Sequence, residues 1–337
     1  MRLSFIIPCY NSNRYLSECI DSLYKQDISE DEYEIVAVND CSTDNTKEIL
    51  LEYQLNHKNF RIINHEQNKG QGGARNTGLK YSTGEYIWYI DHDDFISPNS
   101  LSFLLNLLEQ DQLDFLQFYY TRVDEKSRVL NVINTGNFET KVISGLEFVR
   151  SLGENFLNSY NMSVWARLYK RKFLVDGKFQ FEEIAIFEDL AYSLSTLLFA
   201  EKIKIIEKHL YFYRVHSVST MQIFEKTVKG DFTYFSCIMS GLSIVELGTV
   251  LITNDILISQ MIIEGGIWRI NSITKPLLKA TKKERVVFYT LLNSNKVVKK
   301  SIQTYLNPIN KFLINYEVLS KPILSIITLV LNLVRKS

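Results

Sequence analysis

The chain has 337 residues, 46% of them apolar, enough for one large or two ordinary domains with a real core, so disorder is excluded as the default. Four cysteines, Cys9, Cys19, Cys41 and Cys237, show no C-x-x-C spacing, which points away from a zinc site or a disulfide framework and fits a reducing cytoplasm. Net charge is zero, yet 12 Lys/Arg against only Glu284 and Glu317 make residues 275–337 basic and leave the body acidic. That tail is also rich in Leu, Ile and Val, which favours an anionic membrane surface over nucleic acid as its partner.

The chain opens on a strand-like run at 3–7 with no signal-peptide pattern, which argues against export. Over the first 120 residues short β-branched runs alternate with helical patterns. The spacing predicts strands at 3–7, 34–39, 61–64, 86–90 and 115–120, with helices at 15–26, 46–56, 73–82 and 99–110. This alternation is the signature of an α/β fold with a doubly wound, mainly parallel sheet flanked by helices. In such sheets ligands bind beyond the carboxyl ends of the strands, and Pro8–Asn11, Asp40 and Asp91–Asp94 each follow such an end. Residues 121–219 read as mixed, with a helix at 188–200 and strands at 202–206 and 210–213. Beyond Met221 the pattern is helical and basic, which sets the expected division at a catalytic domain over 1–220 and a helical region over 221–337. Within 321–337, Lys321, Ser325, Thr328, Asn332 and Arg335 recur at offsets of four and three, a narrow polar stripe on an Ile, Leu and Val surface. Its apolar stretches fall short of the roughly 20 residues of a bilayer span, so it suits either the membrane interface or a packing contact.

The run Tyr89-Ile90-Asp91-His92-Asp93-Asp94 places three carboxylates at the end of an apolar segment. Carboxylates this close repel one another, an arrangement that makes best sense around a hard divalent cation. Mg²⁺ or Mn²⁺ held by one or two carboxylates completes its shell with water and phosphate oxygens, which points to a phosphorylated substrate. Gly70-Gln71-Gly72-Gly73-Ala74-Arg75 fails as a dinucleotide fingerprint, because Arg75 replaces the third Gly and the segment does not follow the first strand. Its glycines read instead as a helix start with close backbone approach, and Arg75 as directed to a diphosphate or paired with Asp91. A phosphatase would need Thr or Val where Phe95 stands, and a nucleotidyltransferase a Gly-rich basic loop where Pro8-Cys9-Tyr10-Asn11 stands.

Seven blocks carry a resemblance in order and spacing: Phe5-Ile6-Ile7-Pro8-Cys9-Tyr10-Asn11, Val38-Asn39-Asp40-Cys41-Ser42-Thr43-Asp44, the Asn68 to Gly78 segment, Asp91-His92-Asp93-Asp94, Trp165-Ala166-Arg167-Leu168-Tyr169, Glu188-Asp189-Leu190 and Tyr213-Arg214-Val215-His216. Together they resemble the family 2 glycosyltransferases, and the resemblance covers about the first 220 residues. It implies a GT-A fold, an inverting reaction and a nucleoside-diphosphate sugar donor, with UDP favoured. It further implies Asp93 as ligand of Mn²⁺ or Mg²⁺ with His216 as a further metal ligand or phosphate contact, Asp91 at the ribose or at the metal through water, and Asp94 supporting the loop. Asp40 would accept the N3 imide of uracil, Tyr10 would stack on or flank the base, and Pro8 and Asn11 would shape its pocket. A helix cap is the other reading of Asp40, although Asp44 or Asn45 fills that role better. Glu188 and Asp189 are the catalytic candidates, and of the two the Asp matches the family's general base, at a helix start that would keep it ionised. Trp165 and Tyr169 are candidates for an apolar platform under an acceptor sugar. The chain lacks the Gln-x-x-Arg-Trp block and membrane spans of processive relatives. The expectation is therefore transfer of one sugar to a lipid-linked oligosaccharide or other saccharide, by a cytoplasmic protein peripheral on the inner face of a bacterial membrane. The alternative is an inactive nucleotide-sugar-binding scaffold of a polysaccharide assembly complex.

Overall fold

A computed structural model describes residues 1–133, 141–152, 161–182 and 188–216, together with Ile244 and Ile262. The chain divides into two units, Met1–Ser219 and Thr220–Ser337, and every element named below lies in the first. The helical region expected over 221–337, including the polar stripe at 321–337, lies outside the described residues.

Strands β1 (Leu3–Cys9), β2 (Tyr33–Asn39), β3 (Phe60–Asn64) and β4 (Tyr86–Tyr89) are parallel and stand in the order β3-β2-β1-β4. β1, β2 and β4 are buried at every residue, as continuous apolar runs covered on both faces must be, whereas β3 at the end of the order buries fully only Phe60. Three helices make the crossovers: α1 (Leu16–Tyr24), α2 (Thr46–Asn56) and α3 (Gly70–Tyr81). α1 turns Leu16, Cys19, Ile20 and Leu23 to the core at helical spacing. α3 lies on β1 so closely that a Cβ at Gly78 would stand 2.2 Å from Ile6 Cγ2, so no larger residue fits there without displacing Ile6 or the helix. α3 starts three residues earlier than the pattern predicts, because the glycine block forms its first turn.

β5 (Phe95–Ile96), α4 (Leu101–Asp111), β6 (Phe115–Val123), β7 (Val129–Ile133), α5 (Gly145–Leu152), β8 (Arg167–Lys170), α6 (Arg171–Asp176), α7 (Glu188–Phe199) and β9 (Ile203–Arg214) follow. The sheet continues β4-β8-β6-β9-β5, with β7 paired to β6. The doubly wound sheet is thus parallel through its first half. In its second half β8 runs antiparallel to both neighbours and β9 runs parallel to β6. β8 shows no strand pattern in sequence because long-range bonds hold it: buried Arg167 reaches Gln117 Oε1 at 2.8 Å and the Ser193 carbonyl at 2.9 Å. The two strands expected at 202–206 and 210–213 are one strand, whose register with β6 slips between Ile206 and His209, leaving exposed Glu207 and Lys208 at the irregularity.

The main core runs along one face of the sheet through Phe5, Trp88 and Phe118, with ring centroids 5.7 and 5.1 Å apart. Glu34 is a buried charge within β2, 3% exposed. It accepts from Ser4 Oγ (2.7 Å), the Thr83 N–H (2.6 Å), Thr83 Oγ1 (2.8 Å) and Arg61 (3.0 Å). Burial alone would raise its pKa, but these donors outweigh it and hold Glu34 below the usual carboxylate range. β2 and β3 wind to one side of β1 and β4 to the other, so a crevice opens at the carboxyl ends of β1 and β4.

Candidate active site

Pro8 is tolerated near the end of β1 because of where its missing N–H would point. The next residue, Cys9, gives its carbonyl to the Asp40 N–H on the β2 side (2.8 Å), so Pro8 faces the β4 side. β4 last pairs opposite Ile6, with the Ile90 N–H on the Ile6 carbonyl at 2.9 Å, so Pro8 stands where the ladder to β4 ends. The Pro8 carbonyl instead accepts the His92 Nδ1–H at 3.2 Å, tying the β1 end to the acidic turn.

That turn closes with the Asp94 N–H donating to the Asp91 carbonyl at 3.1 Å. Asp94 is fully buried and accepts from Tyr211 Oη (2.7 Å) and the Arg214 N–H (2.7 Å). With both oxygens engaged and no exposure it props the turn, and burial first, then the neighbouring Asp93 and Asp91, push its pKa well above the usual range. Tyr211 Oη in turn accepts the Asp91 N–H at 3.1 Å. Arg214, 1% exposed, reaches the Asp93 carbonyl at 2.9 Å and Glu18 at 2.7 Å. Asp93 presents its Oδ2 to His216 Nε2 at 2.8 Å. Although burial opposes it, the His216 bond and the charge of His92 hold Asp93 below the ordinary carboxylate pKa.

Arg75, on α3, is 2% exposed and spans two carboxylates, Glu188 Oε1 and Asp91 Oδ1, both at 2.7 Å, with the Phe181 ring 5.3 Å from its Cζ. Burial alone would lower its pKa, but Asp91 and Glu188 raise it. The pair fastens the start of α7 to the acidic turn. Glu188 is committed to this ion pair, 6% exposed, and so positions the helix. Asp189, beside it in the first turn of α7, is partly exposed and adds its charge to the field at Arg75.

At the end of β2, Asp40 is 2% exposed, with Oδ1 accepting from the Lys69 N–H (2.9 Å) and bonded to His65 Nδ1 (2.6 Å). Tyr10 projects from the end of β1, 48% exposed, its ring open to a ligand. Asn11 adopts a left-handed backbone, φ 50°, that Asn tolerates. Its Oδ1 accepts the Thr43 N–H at 2.8 Å, so it braces one loop against the other.

The acceptor platform expected at Trp165 and Tyr169 is corrected. Tyr169 is fully buried in β8 between β4 and β6, its ring against Phe115 and Tyr89. Trp165 is 7% exposed and stacks on Tyr211 at 4.4 Å between ring centroids. Both serve the core, Tyr169 within β8 and Trp165 in the turn just before it, each packed among other aromatic rings. His65, Tyr211 and the bracing role of Arg214 are contributions that sequence reasoning missed. His65 carries one signal, its place just past the end of β3. A cavity of about 480 Å³ lined by Phe173, Phe179, Phe199 and Lys170 lies at the opposite end of the sheet and touches none of these residues.

The family whose model matches the sequence, over residues 4–175 and so just over half of the chain, is described as Glycosyl transferase family 2. The chain belongs to that family. A Bacillus subtilis relative of this family 2 glycosyltransferase, named uncharacterized glycosyltransferase EpsJ, is 34% identical over 224 residues, 66% of this chain and 63% of EpsJ. Staphylococcus aureus TarS, named a poly(ribitol-phosphate) beta-N-acetylglucosaminyltransferase, is 29% identical over 215 residues, 63% of this chain and 35% of TarS. The chain thus spans under two thirds of the length of either relative. The crystal structure of TarS 1–349 in complex with UDP-GlcNAc has the same GT-A-type fold, with TM-score 0.64, 24% identity and coverage of 87% of this chain and 80% of that one. The mannosyltransferase PcManGT of Pyrobaculum calidifontis, solved with GDP-Man and Mn²⁺, matches with TM-score 0.50 and 16% identity over 90% of this chain and 84% of that one.

The residues at the acidic turn fit a divalent cation. Asp93 Oδ2 and His216 Nε2, 2.8 Å apart, are a carboxylate and an imidazole close enough to be neighbouring ligands of one ion. His216 Nδ1 is buried with no hydrogen-bond partner among the described residues. Among those residues no three His, Cys, Asp or Glu side chains form a complete cage, so water and phosphate oxygens would fill the remaining positions.

Proposed function

We propose that this chain is an inverting glycosyltransferase that moves one hexose or acetamidohexose from a UDP-sugar to an acceptor hydroxyl, with Mn²⁺ or Mg²⁺ as cofactor. The observation that carries the reading is the Asp93–His216 pair at the switch-point crevice, joined through the Asp91–Arg75–Glu188 chain to the start of α7 where Asp189 stands. Asp93 and His216 hold the cation, which when bound supplies Lewis-acid stabilisation of charge on the leaving diphosphate. Asp40 accepts from the base and Tyr10 flanks it, while Pro8 and Asn11 set the shape of the loops around it.

Asp189 takes the proton from the acceptor hydroxyl as it attacks the anomeric carbon, on the face opposite the departing diphosphate. Its place in the first turn of α7 favours the ionised form, since helix N-termini stabilise negative charge. Arg75, between Asp91 and Glu188, sets the donor and acceptor sides at a fixed relation. The UDP-GlcNAc bound to TarS supports a UDP-sugar donor, and the Mn²⁺ bound to PcManGT supports the cation. Among the described residues no helix is long and apolar enough to cross a membrane. The basic, apolar composition of 321–337 supports association with an anionic membrane surface and a lipid-linked saccharide as acceptor.

The test is calorimetric titration of UDP, GDP and dTDP with and without Mn²⁺, repeated on Asp93→Ala and His216→Ala. Metal-dependent binding of UDP that Asp93→Ala abolishes and His216→Ala weakens is the expected result. Nucleotide binding indifferent to the metal and to both substitutions would overturn the assignment.

A further inference from the structure

The surroundings of Asp40 assign a part to His65, on the reading above that Asp40 meets the base. His65 stands just past β3, where its N–H donates to the Asn39 carbonyl at 3.0 Å and registers it beside the end of β2. Its side chain is 6% exposed and held at both nitrogens, Nδ1 2.6 Å from Asp40 Oδ1 and Nε2 2.9 Å from Thr77 Oγ1. An ionised carboxylate only accepts, so Nδ1 carries a proton there, and the Thr77 hydroxyl, free to rotate, serves Nε2. With the Lys69 N–H also on Oδ1 at 2.9 Å, two donors from two directions fix the plane of the carboxylate. Oδ2 has no hydrogen-bond partner among the described residues. What Asp40 offers a ligand is therefore one oriented acceptor oxygen.

The geometry points to His65 as a positioning residue that presents Asp40 Oδ2 to a ring N–H, so that the site takes a uracil-type imide and rejects cytosine. Uracil carries a donor at its N3 position, whereas cytosine carries an acceptor there. Two acceptors brought face to face leave both unpaired in a buried place, which discriminates against cytosine by far more than size does. Without the His65 bond Asp40 is free to turn, and the discrimination falls.

The test compares UDP and CDP affinity by calorimetry on the full chain, for the wild type, His65→Asn, His65→Gln and His65→Ala. The Asn amide nitrogen occupies the place of Nδ1 and keeps the bond to Asp40, whereas the Gln amide nitrogen occupies that of Nε2 and keeps only Thr77. The expected result is a UDP-to-CDP preference held within about threefold by His65→Asn and reduced about tenfold or more by His65→Gln and His65→Ala. Thermal melts identify any variant that is not folded, and if His65→Ala is lost the Asn and Gln pair decides. A discriminating wild type whose preference survives His65→Gln overturns the role of His65 alone. Equal wild-type affinities for UDP and CDP overturn the reading of Asp40 as well.

Discussion

Replacing Arg75 by Met keeps the unbranched apolar stem of the side chain and removes both of its ion pairs. In the wild type the 2% exposed guanidinium lies 2.7 Å from each of two carboxylates, Glu188 and Asp91, themselves 6% and 16% exposed. Loss of the cation leaves those two charges facing one another out of bulk water, and breaking a buried pair from one side costs about 3–5 kcal/mol. Asp91 keeps enough exposure for water to recover part of this, so the lower end, about 3 kcal/mol, is expected. Glu188→Gln leaves Arg75 paired with Asp91 and should cost less, about 1–2 kcal/mol. The double variant should then be more stable than the sum of the single losses by over about 1 kcal/mol, since the second change removes a charge that the first left unpaired. Arg75→Lys should rescue little, because one ammonium does not reproduce a planar fork across two carboxylates. Urea unfolding followed by intrinsic fluorescence measures the four variants against the wild type. Arg75→Met within about 1 kcal/mol of wild type, or single losses that add within about 0.5 kcal/mol, would refute the claim that Arg75 is the strut between the acidic turn and α7.

Two further outcomes are expected. Asp189→Asn should lower sugar transfer by about 10²- to 10⁴-fold, the usual worth of a general base, while UDP affinity stays within about threefold. A large loss of donor affinity in a radiolabelled-donor transfer and binding assay would remove Asp189 from the acceptor side. Glu34→Gln should destabilise the fold by about 1.5–3 kcal/mol at pH 7, because an amide that keeps its oxygen toward Ser4 and Thr83 turns its NH2 donor on the Arg61 guanidinium, where Oε2 accepted. Since Glu34 is held below its unfolded value of about 4.3, its contribution is present above that pH and lost as pH falls through the folded value. The gap between wild type and Glu34→Gln should thus close below about pH 4, and a gap that widens on acidification would contradict the sign.

The sequence by itself determined the alternation of β1 to β4 with α1 to α3 and the location of the crevice. Buried parallel strands are short, continuous apolar runs, and the residues just after them are loops that a doubly wound sheet must gather. Asp40, Asp91 and Asp93 were legible for that reason, Asp40 directly after β2 and the other two in the turn that follows β4. Arg75 was legible as one of two choices, a diphosphate contact or a partner of Asp91, and the second is present. What only the tertiary structure decided are the elements and roles made by long-range partners. β8 is a strand held by the bonds of Arg167 to Gln117 and Ser193, and its insertion between β4 and β6 sets the Tyr169 ring against Tyr89 and Phe115, partners of which local sequence carries no trace. Glu188 and Asp189 are adjacent and chemically alike, yet the turn of α7 points the first into Arg75 and leaves the second partly exposed. His65 shows no motif, because its function rests on Asp40 and Thr77, 25 and 12 residues away, which come within bonding distance only when β2, β3 and α3 pack together.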